Sequence, residues 1–229
     1  MIKHLALIMD GNRRWAKRFG LLPWAGHSEG AKTIETVVSF ALEHHIPYVS
    51  LYAWSLENFK RDAQEQEQLW SLFAEHALTH QAPFIEKGVR VSFIGDRAHF
   101  PQSLRETIET LEESTKAGTA LSLNILFCYG AQQEIMYGVK QIAQLIAHGK
   151  LHVEQLSEKI FEEQLWTSNT PPPDLIIRTG GCRRLSNFLL YQAAYSEIHF
   201  LDCLWPEITT AHLENSLNTF AQTQQNYGI

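Results

Sequence analysis

Asp10-Gly11-Asn12-Arg13-Arg14 places one carboxylate beside two guanidinium groups, directly after the apolar run Leu5 to Met9. Such a run suits a strand covered on both faces in a parallel sheet. Gly11 can take a positive φ or let a ligand approach the backbone, and Asn12 is placed to cap a helix opening at Arg13, Arg14 and Trp15. A helix N-terminus attracts phosphate. A carboxylate at the same spot repels phosphate unless a divalent cation lies between them, and Mg²⁺ is usually held by one or two carboxylates plus substrate phosphates. The stretch reads as a metal–phosphate cradle; the plainer alternative is a solvated Asp-Gly-Asn turn.

Two further segments carry unusual polar sets, Ser55 to Arg61 (SLENFKR) and Arg178 to Asn187 (RTGGCRRLSN). Each follows a strand candidate. In a parallel sheet the loops after the strands emerge on one edge, so Asp10, Asn58, Arg61, Arg178, Arg184 and Ser186 are expected to converge. Arginine forks bind phosphate oxygens bidentately, and several of them with one or two carboxylates describe a diphosphate–metal site. Glu197 is the expected second carboxylate.

The elements that must position these residues follow from periodicity. After a loop containing Pro23 and Gly26, His27 to His45 has the spacing of an amphipathic helix, ended by Pro47. Tyr48 to Trp54 is a second strand. Asp62 and Glu65 form a capping-box-like start to a long helix reaching about Glu86. Val89 to Gly95 alternates as a third strand, Pro101 to Lys116 reads as a helix, and Leu121 to Tyr129 is a fourth strand. A helix through Ile135 and Ile146 stops at Gly149. A weaker helical pattern at Leu156, Ile160, Phe161 and Leu165 precedes the rigid Pro171-Pro172-Pro173. Asp174 to Gly181 is a fifth strand running into a glycine turn, Ile198 to Leu201 a sixth, and Leu213, Leu217 and Phe220 mark a last helix. The fold class is α/β, a mainly parallel six-stranded sheet with helices on both faces.

At 229 residues with 45% hydrophobic and 19% charged residues, the chain suits one domain, 1–229, with a substantial core. The net charge of -6 opposes general nucleic-acid binding, while Lys3, Arg13, Arg14, Lys17 and Arg18 cluster locally, which fits a small anionic ligand. Cys128, Cys182 and Cys203 form neither a disulfide framework nor a zinc motif, and no signal or spanning segment is present, so a cytoplasmic setting is expected. His76 and His80 lie one helical turn apart, but without a third ligand nearby they read as a solvated helix face.

HLALIMDGNRRWAK, GHSEGAK, LYAWSLENFKR, LSLNILFCYG, DLIIRTGGCRRLSNFLLYQ and YSEIHFLDCLWPE occur in that order across nearly the whole chain. Together they resemble the cis-prenyltransferases, or isoprenyl transferases, in particular those making undecaprenyl diphosphate. The resemblance implies a Rossmann-like fold with a hydrophobic tunnel and a homodimer. It also implies Mg²⁺-dependent addition of isopentenyl diphosphate to farnesyl diphosphate with new Z double bonds, and peripheral membrane contact on releasing the lipid product. By matching motif, Asp10 would hold Mg²⁺ on the allylic diphosphate, with Gly11, Asn12, Arg13, Arg14 and His27 around its phosphates and Trp15 walling the substrate. Ser55, Leu56, Glu57, Asn58, Phe59 and Arg61 would lie near the reacting carbons. Arg178, Arg184, Leu185 and Ser186 would bind isopentenyl diphosphate, Glu197 would ligate metal, and Leu121 would form the tunnel floor. Asn58 is often given the proton-acceptor role in the family, but a neutral amide is a weak base, suited rather to orienting a water or phosphate oxygen that takes the proton.

The chain departs from the family pattern at Pro23, where an arginine is common, at Cys182, where Glu is usual, and at Trp54 and Leu56. Two rival readings exist. An aspartyl-nucleophile phosphatase also places Asp-Gly after an apolar strand, but it has Asp at the position of Asn12. A non-catalytic subunit of a heteromeric cis-prenyltransferase would usually lack Asp10.

Overall fold

The computed structural model describes residues 2–223. The strands His4–Ile8 (β1), Tyr48–Ser55 (β2), Val89–Ile94 (β3), Leu121–Tyr129 (β4), Leu175–Arg178 (β5) and Glu197–Phe200 (β6) form one sheet in the order β3-β4-β2-β1-β5-β6. Every pairing is parallel. Helices Asn12–Arg18 (α1), Pro23–Glu43 (α2), Ala63–Glu86 (α3), Gln102–Thr115 (α4), Ala131–Ala147 (α5), Glu158–Glu162 (α6) and Thr210–Gln222 (α7) connect and cover it. None of the described helices is long and apolar enough to cross a membrane.

The period of two along each strand divides the core. Leu5 and Leu7 of β1 join Val49, Leu51, Leu123, Ile125 and Ile177 in a large cluster that includes residues of α2, α3, α4 and α7. Ala6, Ile8, Leu126 and Ile176 face the other way, into a smaller cluster with Ala131 of α5 and Phe188. All five residues of β1 are buried, which is why its sequence is an unbroken apolar run rather than an alternation.

Three local expectations are corrected. Helix α2 begins at Pro23, before the expected start, because proline suits the first helical position. Gly26 and Gly30 are therefore helical, and their role is close packing: a Cβ at Gly26 would lie 2.0 Å from the Asn12 carbonyl oxygen, and one at Gly30 2.2 Å from Asn12 Oδ1. Asn12 is not the cap of α1; that place belongs to Gly11, with φ 117°, and Asn12 is the first helical residue. His80 is buried rather than solvated: its Nδ1 lies 3.2 Å from Glu35, and its ring stacks on His76 at 5.7 Å. Among the described residues no group of three or more His, Cys, Asp and Glu could hold a metal ion.

Candidate active site

Strands β1 and β5 are neighbours whose chains leave in opposite directions, β1 toward β2 and β5 toward β6. The crevice beyond the carboxyl ends of such a pair is where ligands bind in open α/β sheets. Asp10 stands just past β1 and Arg178 ends β5. Arg178 Nη2 donates to Asp10 Oδ2 at 2.9 Å, and Arg14 Nη2 donates to Asp10 Oδ1 at 3.1 Å. Burial by itself would raise the Asp10 carboxyl, but the hydrogen bond from Arg178 and the charge of Arg14 outweigh it and hold the group below the ordinary carboxylate value. Asp10 is thus an anion ready to meet a cation.

The arginines form a chain. Arg178 is 4% exposed, and its Nη1 donates to Ser186 Oγ at 2.7 Å and to the Arg184 carbonyl. Arg184 Nε donates to the same Ser186 Oγ at 3.2 Å, and Arg14 Nη1 to the Gly180 carbonyl at 2.7 Å. Arg178 Nε is buried without a partner. Donors outnumber acceptors here, as an anion site requires.

Residues that sequence reasoning left without a role hold this crevice in shape. Thr179 Oγ1 accepts from the Asp10 N–H at 3.1 Å and donates to the Asp10 carbonyl at 2.7 Å, and that carbonyl also accepts from Trp205 N–H at 3.0 Å. Trp205 Nε1 donates to the Gly30 carbonyl at 2.7 Å, joining the two loops to α2. The only sequence signal was the presence of Thr179 and Trp205 inside matched motifs. Spacing could not have found them.

A cavity of about 230 Å³ opens beside the crevice on the large-cluster face, between the sheet, α2 and α3. Asn12, His27, Asn58 and Arg61 line its polar end, and Trp54, Trp70, Phe73, Phe93 and Phe127 are among its apolar walls. A register shift in the β2–β4 pairing falls at Trp54. Burial, then the charges of Arg61 and Arg13, push His27 down to about 3, so its ring is neutral; its Nε2 and Asn12 Oδ1 are buried without partners. Asn58 Oδ1 accepts from the Ser55 N–H at 3.1 Å, closing a capping box around the Leu56–Lys60 turn. Arg61 lies over Trp54 at 5.3 Å, and both Arg61 and Arg13 stand 3.7 Å from Glu65.

Other expected residues fall elsewhere. Glu197 pairs with Leu175 at the start of β5 while Phe200 pairs with Arg178, so Glu197 lies at the opposite edge of the sheet, roughly 10 Å away along the strand. Its Oε1 lies 2.6 Å from His199 Nε2 and accepts from Thr223 Oγ1 at 3.1 Å. Within one chain it does not join Asp10. Trp15 packs on Phe19 at 4.7 Å and does not line the cavity. Leu56 and Phe59 pack against the large cluster and Leu185 against the small one, Glu57 accepts from Asn187, and Gly11 backs onto Leu204. Leu121 is fully buried but outside the cavity wall, which Leu123 reaches instead. Pro23 contributes no cation.

Comparison with known proteins shows the family of a chain with this anion crevice beside an apolar cavity. A family model described as undecaprenyl diphosphate synthase matches residues 8–228. The chain belongs to that family. This cis-prenyltransferase is 41% identical over 227 residues to the (2E,6E)-farnesyl-diphosphate-specific ditrans,polycis-undecaprenyl-diphosphate synthase of Escherichia coli, covering 99% of this chain and 89% of the relative. It is 40% identical over 228 residues to the geranylgeranyl-diphosphate-specific tritrans,polycis-undecaprenyl-diphosphate synthase of Pyrococcus horikoshii, covering 99% and 86%. Among solved structures, lavandulyl diphosphate synthase of Lavandula x intermedia, in complex with dimethylallyl diphosphate, superposes with a TM-score of 0.96 at 29% identity over 100% of this chain and 98% of that one. A probable undecaprenyl diphosphate synthase of Campylobacter jejuni does so at 0.84 and 32%, covering 100% and 99%. The cis-prenyltransferase is a transferase with the six-stranded parallel α/β fold of these enzymes.

Proposed function

We propose that this enzyme elongates farnesyl diphosphate with isopentenyl diphosphate, with Z geometry at each new double bond, to a polyprenyl diphosphate of the undecaprenyl class. The observation that carries the reading is the Asp10 carboxylate, bound by Arg14 and Arg178 next to Met9 and Asn12, which line the neighbouring apolar cavity. An allylic diphosphate fits this junction head first, with its phosphates on the donors and its prenyl chain among the aromatic walls. His27 Nε2, Asn12 Oδ1 and Arg178 Nε are among the unpartnered polar atoms beside this junction.

The donor set also fits Mg²⁺. The site offers one anionic carboxylate at a partly exposed position and, among the described residues, no protein cage, and Mg²⁺ is bound by one or two carboxylates together with substrate phosphates. Mg²⁺, when bound, neutralises the charge that develops on the leaving diphosphate. Arg14 lies beside Asp10 to hold that same leaving group, and Arg178, Arg184 and Ser186 present donors for isopentenyl diphosphate. Asn58, its carbonyl engaged by Ser55, orients an oxygen that takes the proton rather than taking it itself.

A homodimer working in the cytoplasm and shedding its lipid product into the membrane completes the reading. Met136, Tyr137 and Val139 leave apolar surface exposed on α5 for a second copy, and Glu197 acts as a metal ligand only if such a copy brings it to the crevice. The test is purified protein with labelled isopentenyl diphosphate, farnesyl diphosphate and Mg²⁺, followed by chromatography of the extracted polyprenols. Chain extension that chelator abolishes is expected. Failure to extend farnesyl or geranylgeranyl diphosphate overturns the reading.

A further inference from the structure

Glu134, in the first turn of α5, is 1% exposed, and among the described residues no cation pairs with it. A buried carboxylate without a counter-ion is costly unless hydrogen bonds satisfy it fully. Here they do. Oε1 accepts from Thr167 N–H at 2.9 Å and Thr167 Oγ1 at 2.8 Å, while Oε2 accepts from Gln192 Nε2 at 3.0 Å and from the Tyr129 hydroxyl. Burial and the neighbouring Glu134 hold the Tyr129 phenol well above its ordinary value, so it remains a donor.

The second half of the device is Asn187. Helix α5 has no side-chain cap of its own at Gly130. The Asn187 carbonyl accepts from Ala131 N–H at 2.8 Å, and Asn187 Oδ1 accepts from Gln132 N–H at 2.9 Å. Its Nδ2 donates to Gln133 Oε1 at 3.0 Å and Glu57 Oε1 at 3.1 Å. Gly130 lacks a side chain for this approach: a Cβ there would lie 2.7 Å from Asn187 Nδ2.

Both anchors grip residues 184–192, the arm that carries Arg184 and Ser186. That arm is strained: Ser186 and Leu189, with φ of 51° and 44°, lie in the left-handed region that most side-chain-bearing residues avoid, on either side of Asn187 at 64°, a residue type that tolerates it. Such a conformation persists only where the surroundings over-determine it. We propose that Glu134 and Asn187 are positioning residues for isopentenyl diphosphate, the start of α5 being the template that holds the arm in its ligand-binding shape. Neither touches the reacting atoms. The inference rests on the reading that Arg178, Arg184 and Ser186 receive that substrate.

Steady-state kinetics with each substrate varied in turn decide it, on Glu134→Ala, Glu134→Gln and Asn187→Ala, with Arg184→Ala as the reference. Glu134→Ala and Asn187→Ala are expected to raise KM for isopentenyl diphosphate about tenfold or more, with KM for farnesyl diphosphate and kcat changing about twofold at most. Glu134→Gln, which keeps an acceptor for Thr167, is expected to fall between them and the unaltered enzyme. If Glu134→Ala does not fold, Asn187→Ala carries the test alone. Equal rises in both KM values, or unchanged KM for isopentenyl diphosphate while Arg184→Ala raises it, overturn the positioning role. No change in Arg184→Ala overturns instead the assignment of the substrate to this arm.

Discussion

The two faces of the sheet are built on opposite terms. The face toward α2 and α3 leaves a cavity of about 230 Å³ and tolerates polar atoms with no partner, among them Trp54 Nε1, Trp70 Nε1 and His27 Nε2. The face toward α5 buries a whole carboxylate and gives it four donors. An unsatisfied buried donor costs about 1–3 kcal/mol, so the face toward α2 and α3 gives up stability to leave room for an apolar chain. The face toward α5 uses the polar groups around Glu134 to fix a loop. One face makes an apolar space; the other, whose own larger groove of about 810 Å³ is lined by polar residues such as Arg90, Ser92, Asp96 and Asn124, uses buried polar groups to make shape, and the active site lies where their loops meet, between Asp10 and Arg178.

That contrast can be broken most severely at the meeting point. Asp10→Ala is expected to lower kcat by roughly 10²–10³-fold or more while leaving the urea midpoint near that of the unaltered protein. Near-normal turnover would show that the carboxylate is only the arginines' partner.

A smaller effect separates the faces by stability. Glu134→Ala strands donors of Tyr129, Thr167 and Gln192 and should cost about 3 kcal/mol in urea unfolding. Trp70→Phe removes an N–H that has no acceptor and should be neutral to within about 1 kcal/mol. Similar costs for both would erase the distinction.

Acid should weaken both faces through one histidine each. Burial pushes His4 down to about 4, with smaller opposing effects from Pro171 and Asp174, and pushes His27 down to about 3. Folded-state values below the ordinary 6.5 mean that the unfolded chain binds more protons. Stability from these groups is therefore fully present above about 6.5 and declines as pH falls toward 3–4. Urea midpoints at pH 7.5 and 5 measure this, and His27→Gln should flatten the slope. A midpoint that rises on acidification contradicts it.

The finest distinction concerns the end of the cavity. Leu121 and Leu123 share the large-cluster face of β4, yet only Leu123 lines the cavity. Leu123→Ala should shift the product distribution to longer polyprenols more than Leu121→Ala does, because opened volume adjoins the growing chain in only one of them. The reverse order would place the floor at Leu121, where the family resemblance puts it.

Much of this was legible in the sequence. The strand segments, the parallel arrangement and the three polar loops are local patterns of hydrophobicity and turn chemistry, which neighbouring residues determine among themselves. The same holds for Asp62, which caps α3 as read, with its carboxylate accepting from Gln64 and Glu65 N–H. Glu197, Asn12 and His80 were not legible. Glu197 precedes a strand, but which end of the neighbouring strand it meets depends on register, which is set by the packing of the whole sheet. Asn12 lost the cap because α1 is pressed against Gly26 and Gly30, and His80 is covered by a second helix bearing Glu35. By itself the sequence determined which residues end each strand and what charge they carry. Only the tertiary structure decided that β1 and β5 are adjacent, that Arg178 therefore reaches Asp10, and that Glu134 lies beneath the arm of Arg184. These are contacts between segments far apart in the chain, and no periodicity along the chain encodes them.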